Sequence, residues 1–237
     1  FLMCVFVCFI GHRSAAPVLI ECLRRLESRG YDSSGIVVKN GSLQVHKKVG
    51  NVSELSKILP NHVEGCSGIA HTRWATHGGV TDANAHPHTS NDGKIALVHN
   101  GIINNAKGLR RRLEDRGFEL KSETDSEALV HMISIGIDSG QTPLESVRET
   151  LRRVTGTWGL CVIFKEYDVI VCARNGSPLI LGKGEGESFV SSEPHTLTQY
   201  TRDHYILEDG DLAVITKDGI DISRLEGGIS ATSMTVF

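Results

Sequence analysis

The first ten residues, FLMCVFVCFI, are all apolar, and such a run restricts the folds that are open to the chain. Its length and its β-branched and aromatic side chains favour a buried strand. The alternative is the core of a signal peptide, with Ser14-Ala15-Ala16 as a cleavage-like site, but no basic residue precedes the run. Ten residues are also too few to span a bilayer. We therefore predict a buried N-terminal strand.

Composition limits the classes of function. The 237 residues carry a formal net charge of −3, which argues against binding to nucleic acid or to an acidic membrane surface. Six cysteines are scattered without a CxxC pair, a distribution that is typical of free thiols in a reducing compartment. We expect a cytoplasmic protein and, since no linker or repeat is visible, one domain.

Helix and strand patterns fall in clusters along the chain. Asn40-Gly41 between two alternating runs predicts a tight hairpin. Capping boxes at Thr124/Glu127 and Thr142/Glu145 predict two helix starts. Predicted helices cover 15–30, 51–59, 106–116, 122–139 and 142–154, and predicted strands cover 35–39, 43–49, 159–164, 169–173, 179–181, 188–190, 205–207 and 212–215. Clustering without βαβ alternation favours antiparallel sheets covered by helices, the α+β class.

The stretch from Gly68 to Asn105 holds most of the candidate functional groups. Two short apolar runs, 68–70 and 95–98, bracket about twenty polar and glycine-rich residues. Each run then ends in polar residues, HTRWATHG after the first and HNGIINN after the second. Loops that follow strands are where rigid scaffolds present functional groups. Two such loops close in sequence predict one site built from both.

A metal site is one interpretation of this stretch. It contains five of the eleven histidines, and these could in principle gather around zinc. The five are His71, His77, His86, His88 and His99. No pair of them has the spacing of a metalloprotease helix, and only Asp82 and Asp92 lie nearby as carboxylates. The sequence therefore favours a site without metal, and a metal-dependent hydrolase stays as an alternative.

Recognition of an anion is the second interpretation. Arg73 offers a guanidinium fork that suits a carboxylate, although a lone arginine usually pairs with a scaffold carboxylate. Asn100-Gly101 offers a side-chain amide and a backbone N–H at a sharp turn, the donors that an oxyanion hole needs. A plain Asn-Gly turn is the structural alternative.

Two further residues have both a structural and a functional interpretation. Asp125 would favour the dipole in the first turn of its predicted helix, or could hold a ligand ammonium group. Cys4 could be a small apolar residue in a core strand or a nucleophile. Taken singly, none of these residues assigns a function.

Six strings in order along the chain do so together. They resemble the class II glutamine amidotransferase domain, and most closely the glutaminase halves of the family of glutamine–fructose-6-phosphate aminotransferases (isomerizing). The strings are CVFVCFIG, RRLESRGYDSSGI (24–36), GIAHTRWATHG (68–78), NAHPH (84–88), VHNGIINN (98–105) and SETDSE (122–127). The similarity continues through ARNGSPLILG (173–182) to about residue 225.

The resemblance implies a fold and a domain boundary. It predicts an N-terminal-nucleophile hydrolase sandwich of four layers, αββα, with two antiparallel sheets between helix layers. It places the amidotransferase domain at residues 4–225 and makes 226–237 a tail toward a sugar-isomerase domain. L-Glutamine would be the substrate, no cofactor would be needed, and a homodimer could form through the isomerase half.

The resemblance also implies a role for each site residue. Cys4 would be the nucleophile with its own α-amino group as base, and Asn100 with Gly101 would bind the oxyanion. Arg73 would hold the α-carboxylate of the substrate and Asp125 its α-ammonium group. The pocket would be completed by Trp74, Thr76 and His77.

The chain departs from the family pattern at its beginning. Phe1-Leu2-Met3 precede Cys4, and Val5 and Cys8 stand where the family has glycine. A cysteine inside a peptide bond has no free amine to act as base. The alternative hypothesis is therefore a catalytically impaired domain with a binding or regulatory role.

Overall fold

The computed structural model describes residues 4–27, 32–75 and 78–236. Its helices are α1 (Ala15–Leu26), α2 (Val52–Ile58), α3 (Ala106–Glu114), α4 (Ser126–Asp138) and α5 (Pro143–Leu151). Its strands are β1 (Val5–Ile10), β2 (Ser33–Asn40), β3 (Ser42–Val49), β4 (Ser67–Arg73), β5 (His88–Thr89), β6 (Ile95–Ile103), β7 (Gly156–Phe164), β8 (Ile170–Asn175), β9 (Ile180–Gly184), β10 (Glu187–Ser191), β11 (Asp203–Ile206), β12 (Asp211–Ile215), β13 (Ile220–Arg224) and β14 (Met234–Val236). None of the helices in these ranges has the length and hydropathy to cross a bilayer.

The N-terminal apolar run forms β1, which lies inside an eight-stranded sheet. The strand order is β14-β11-β9-β10-β1-β4-β2-β3, and β1 pairs antiparallel with β4 and β10. Alternate side chains of a strand point to opposite faces. Phe6 and Cys8 therefore pack between the sheets, while Val7 and Phe9 pack in the core that includes α1. The buried strand is confirmed for Val5–Ile10, and both of its faces are apolar because both are covered.

The second sheet has six strands in the order β13-β12-β8-β7-β6-β5. One of its faces packs on the first sheet through residues that include Val98, Cys161 and Cys172. Its other face packs against α3, α4 and α5 through Leu97 and Leu160, among others. The layers therefore run helix, sheet, sheet, helix, and the predicted αββα sandwich is confirmed.

The thiols of Cys8, Cys161 and Cys172 meet in the core between the sheets. Cys161 and Cys172 face each other across β7 and β8, with their Sγ atoms 2.9 Å apart. All three side chains are fully buried, and burial raises the pKa of Cys8 and Cys161. Cys8, which stands at one of the two positions where the family has glycine, is thus a core side chain.

The two predicted capping boxes have different outcomes. At α5 the box forms, with Thr142 accepting from the N–H of Glu145 and Glu145 accepting from the N–H of Thr142. At α4 the prediction was wrong, because the helix begins at Ser126 and Asp125 occupies the N-cap position without a side-chain cap. The Thr124 hydroxyl is paired with His88 instead, and the Glu127 carboxylate accepts from the N–H of Ser122 in the same loop.

Residues 220–236 contain two strands that the sequence did not predict. β13 pairs with β12, and β14 pairs with β11 at the edge of the larger sheet. The hydroxyls of Ser230 and Thr232 donate to the carboxylate of Asp211 over 2.7 and 2.6 Å. The segment 226–236, expected to be a tail, is therefore bonded to the sheets up to residue 236.

Gly35 on β2 marks a close approach between the larger sheet and the loop before β5. A Cβ atom at this position would lie 2.1 Å from the carbonyl oxygen of His86. Gly108 on α3 is the opposite case, because a Cβ atom there would meet nothing within 4 Å. The two glycines provide a matched pair for testing the packing.

We expect Gly35→Ala to lower the free energy of unfolding by about 1–3 kcal/mol, because backbone must move to admit the methyl group. Gly108→Ala should raise it by about 0.5–1 kcal/mol, because alanine is the better helix former. Urea denaturation of both variants measures the difference. A neutral Gly35→Ala variant would contradict the described contact with His86.

Candidate functional site

The site is built where β1, β4 and β6 meet. Cys4 lies immediately before β1, and its carbonyl accepts a hydrogen bond from Nδ2 of Asn100 on β6, at 2.8 Å. Oδ1 of Asn100 lies 2.9 Å from Nε2 of His71 on β4. Because an amide oxygen only accepts, His71 donates through Nε2. The two polar ends of the stretch 68–105 are thus brought together, and Asn100 joins the two sheets. The expected loops after residues 70 and 98 were wrong, because β4 continues to Arg73 and β6 to Ile103.

The Cys4 thiol is held against the strand end that follows Arg73. Its Sγ lies 3.2 Å from both the carbonyl oxygen and the backbone nitrogen of Trp74. Burial raises the pKa of the thiol, an effect that the Trp74 N–H and the charge of Arg73 only partly offset. The group is therefore mainly a neutral thiol near pH 7, and it needs a base to become a nucleophile.

The backbone at Gly101, inside β6, admits only glycine, so the expected sharp Asn-Gly turn was wrong. Its φ is +135°, and a Cβ atom would lie 2.2 Å from the carbonyl oxygen of Thr157 on the paired strand β7. Gly101 also stands opposite Trp158 in the β6–β7 register. Glycine is thus required at position 101 by the path of the backbone, and the preceding Asn100 amide lies beside Cys4.

Arg73 and Asp125 supply opposite charges to the same cavity. Arg73 is 3% exposed, and its guanidinium donates to the carbonyl oxygens of Gly79 and Gly78 at 3.1 and 3.4 Å. Asp125 accepts from the Ile103 N–H at 2.8 Å, so β6 fixes its carboxylate. A buried cation and a buried anion in one cavity suit a zwitterionic ligand.

One cavity of about 30 Å³ gathers most of the predicted site residues. Its walls include Cys4, Arg73, Trp74, Asn100, Gly101 and Asp125. Thr76 and His77, the remaining two, lie outside the described residues. A cavity of this volume is about the size of one water molecule, so an amino acid would have to displace its walls.

Three histidines of the central stretch, His71, His86 and His88, form a buried cluster at this cavity. The rings of His71 and His86 are 4.3 Å apart, and those of His86 and His88 are 4.6 Å apart. Burial lowers the pKa of His71 to about 3 and that of His86 well below its usual range, so both rings are neutral. In the ranges 4–27, 32–75 and 78–236, no group of three or more potential ligands has metal-binding geometry.

Several supporting residues had no role in the sequence analysis. Asp32 accepts from the Ala75 N–H at 2.9 Å and donates its own N–H to the Arg73 carbonyl, so it fixes the end of β4. Asn84 and Glu123 join through two hydrogen bonds, and Glu123 also accepts from the Gly79 N–H. Asp32 and Glu123 both lie in the family strings 24–36 and 122–127, and this position is the feature of the sequence that could have identified them.

Glu127 organises the loop that delivers Asp125. Its carboxylate accepts from the N–H groups of Lys121 and Ser122 at 2.7 and 2.9 Å and from the Ser122 hydroxyl at 2.7 Å. Burial opposes ionisation, but His131 and these donors outweigh it and hold the pKa of Glu127 below its usual range. Thr124 in the same loop lies 2.9 Å from His88 through its hydroxyl.

Comparison with known protein families identifies one match, the glutamine amidotransferase domain, at residues 71–199. Among curated relatives, the glutamine–fructose-6-phosphate aminotransferase (isomerizing) of Chlorobaculum tepidum is 46% identical over 233 residues, which is 94% of this chain and 38% of that protein. The enzyme of the same name from Thermus thermophilus is 46% identical over 227 residues, 95% of this chain and 37% of that protein. The chain thus spans less than two fifths of the length of these relatives.

Solved structures share the fold. The glutamine phosphoribosylpyrophosphate amidotransferase of B. subtilis, complexed with ADP and GMP, aligns with a TM-score of 0.80 at 26% identity. A structure described as the allosteric regulatory enzyme of purine biosynthesis aligns with a TM-score of 0.81 at 27% identity. In each case the match covers 95% of this chain and 50% of the other.

The role of Glu127 can be tested with the Glu127→Gln variant. We expect the free energy of unfolding near pH 7 to fall by about 1–3 kcal/mol, because buried donors lose their charged acceptor. The pKa of Glu127 is lower in the folded chain than in the unfolded chain. Its stabilisation is therefore complete above the unfolded value, about 4.3, and is lost as the pH falls toward the folded value.

Urea denaturation across this pH range should show the two proteins converging below about pH 4.3. Glu119→Gln, at an exposed position of the same loop, is the control and should leave stability unchanged. A difference that stays constant with pH would contradict the ionised state of Glu127.

Proposed function

The chain belongs to the class II glutamine amidotransferase family, and on that premise we propose that it hydrolyses L-glutamine to glutamate and ammonia through Cys4. One observation supports this most directly: the Cys4 thiol, the Asn100 amide, the Arg73 cation and the Asp125 anion all line one cavity. Glutamine has one complementary group for each of them.

Recognition would use the two charges. The guanidinium of Arg73 would take the α-carboxylate of glutamine, and the carboxylate of Asp125 would take its α-ammonium group. The side-chain amide of the substrate would then face Cys4, with its oxygen toward Asn100 and Gly101. Asn100 is already oriented by His71, so its donor would need little rearrangement as negative charge develops.

The chemistry would proceed in two steps. The Cys4 sulfur forms a bond to the amide carbon, the C–N bond breaks, and the thiol proton leaves with the nitrogen as ammonia. Water then attacks the thioester, giving glutamate and restoring the thiol. The proton needs a carrier, and the α-amino group of a Cys4 that begins the chain has a suitable pKa of about 8.

The fate of the ammonia is a finer proposal. The curated relatives named above carry further sequence beyond the part that matches this chain. We propose that residues 4–225 form the amidotransferase domain and supply ammonia to a sugar-isomerase domain that makes glucosamine 6-phosphate from fructose 6-phosphate. Dimerisation would occur through that domain, in the cytoplasm.

An impaired domain with a binding or regulatory role is the second candidate. Two observations favour it: Phe1-Leu2-Met3 precede Cys4 in the sequence, and Val5 is buried in β1 opposite Thr72 where the family has glycine. In this case the pocket would bind glutamine without releasing glutamate. The N-terminus of the mature protein separates the two candidates.

The nucleophile can be tested by preparing the chain with Cys4 as its first residue. We expect this form to release glutamate from glutamine and to be trapped at Cys4 by a glutamine-analogue electrophile, while the form with residues 1–3 in place is slower by about 10²-fold or more. Cys4→Ala should abolish both readouts, and Cys66→Ser, which changes an exposed thiol, should preserve them. Glutamine binding without glutamate release by the Cys4-first form would establish the second candidate.

The carboxylate contact can be tested with Arg73→Lys. Loss of the guanidinium fork should lower kcat/KM for glutamine by about 10–100-fold, mainly through KM. Glutamine methyl ester lacks the carboxylate, so the variant and the original chain should use it almost equally. Arg202→Lys, at an exposed position, is the control. An equal loss toward both substrates would mean that Arg73 acts only by holding the loop of Gly78 and Gly79.

A further inference from the structure

A second and larger cavity lies on the far side of the second sheet, in its helix layer. It has a volume of about 490 Å³ and is bounded by α3, α4, α5 and the turns that follow them. None of its lining residues also lines the cavity of Cys4. Its volume falls in the range of pockets that hold small organic ligands.

One wall of the cavity is apolar. Leu109 and Leu113 of α3 face it, with Met132 and Ile135 of α4. Leu109 and Leu113 belong to the buried core between the helices and the second sheet, and Met132 and Ile135 pack against that core. The cavity is therefore an opening in the helix layer whose bottom is the hydrophobic core, a surface suited to a hydrocarbon chain or ring.

Three arginines line the same cavity. They are Arg112 and Arg116 from the end of α3 and Arg153 from the turn after α5. Within the described ranges, their guanidinium groups make no hydrogen bond and no ion pair. Two acidic residues also line the cavity, Asp115 and Glu149, and Glu149 is paired with Arg152 at 2.7 Å. The unpaired charge of the lining is thus mainly positive.

Two polar side chains also line this space. Thr150 lines the cavity and is only 4% exposed, yet its hydroxyl has no hydrogen-bond partner in the described part of the chain. The half-buried side-chain amide of Gln141, between α4 and α5, also has no partner there. The neighbouring hydroxyl of Ser146, in contrast, donates to the carbonyl of Ile133. The Thr150 hydroxyl and the Gln141 amide are therefore available to form hydrogen bonds within the cavity.

We propose that this cavity binds a small organic anion that has an apolar body and a terminal carboxylate or phosphate group. The apolar wall takes the body of the ligand, and the guanidinium groups take its oxyanion. The hydroxyl of Thr150 and the amide of Gln141 supply the remaining hydrogen bonds. The site is separate from glutamine hydrolysis and does not depend on the identity of the nucleophile.

Methionine methyl groups provide a direct reporter, because the chain has only three methionines. Met132 lines the cavity, Met234 lies on β14, and Met3 is outside the described residues. The chain labelled with ¹³C at methionine methyl groups would be titrated with octanoate, hexyl phosphate and neutral 1-octanol, with Met132→Leu and Met234→Leu variants for assignment. Saturable shifts of Met132 are expected for the anions, at concentrations about ten-fold lower than for octanol, with Met234 unchanged. The two anions together show which oxyanion is preferred.

The contribution of the arginines is measured with the double variant Arg112→Met, Arg153→Met. Its dissociation constant for the preferred anion should rise by about ten-fold or more, because the charge-assisted hydrogen bonds are lost. The matched control is Arg111→Met, Arg202→Met, which removes two exposed arginines outside the cavity and should change affinity by less than about two-fold. Thermal unfolding verifies that both variants fold.

Three results would each overturn the proposal. They are the absence of a Met132 shift with either anion, equal responses to octanoate and octanol, and an unchanged affinity in the Arg112/Arg153 variant. The third result would show that the apolar wall alone accounts for binding. Activity toward glutamine enters none of these readouts, so failure of the glutaminase proposal leaves this test intact.

Discussion

The side-chain amide of Asn100 is the contact on which the geometry of the site depends. The core between the two sheets is apolar, and apolar contacts have little directional preference to fix which strand ends meet. Asn100 lies on β6 in the second sheet, while its partners are His71 on β4 of the first sheet and Cys4, which immediately precedes β1 of that sheet. Hydrogen bonds are directional, so this one amide sets the position of β6 and its Gly101 relative to Cys4 and His71.

Charge in the site is confined to a few groups. Burial keeps His71 and His86 neutral and favours the protonated form of the Cys4 thiol. The charged groups left in the cavity are those of Arg73 and Asp125. A neutral surrounding strengthens the interaction of each with a substrate, because buried charges are screened less than exposed ones. His71 and His86, two of the histidines that suggested a metal, are therefore uncharged packing at a cavity that holds two opposite charges.

Local sequence patterns predicted most helices and strands. The features that they did not predict depend on contacts between residues far apart in sequence. The apolar run at Val5–Ile10 and the cap of Thr142 were visible in the sequence because their causes lie within a few residues. The helix start at Thr124 was misplaced because its hydroxyl is paired with His88, thirty-six positions earlier. The contact of Asp32 could not be predicted for the same reason, because its carboxylate accepts from the N–H of Ala75, which is distant in sequence. The roles of the site residues came from family resemblance, and the fold accounts for their convergence.

The three thiols of Cys8, Cys161 and Cys172 have a consequence for the dynamics of the protein. They lie in the layer where the two sheets meet and are fully buried, unlike the exposed Cys66. A reagent reaches them only when the sheets separate, an event whose free energy approaches that of global unfolding. Their rate of chemical modification is therefore a property of the whole sandwich, whereas that of Cys66 reports only its local surface. The thiols of one chain thus report two different motions, separation of the two sheets and local movement of the surface at Cys66.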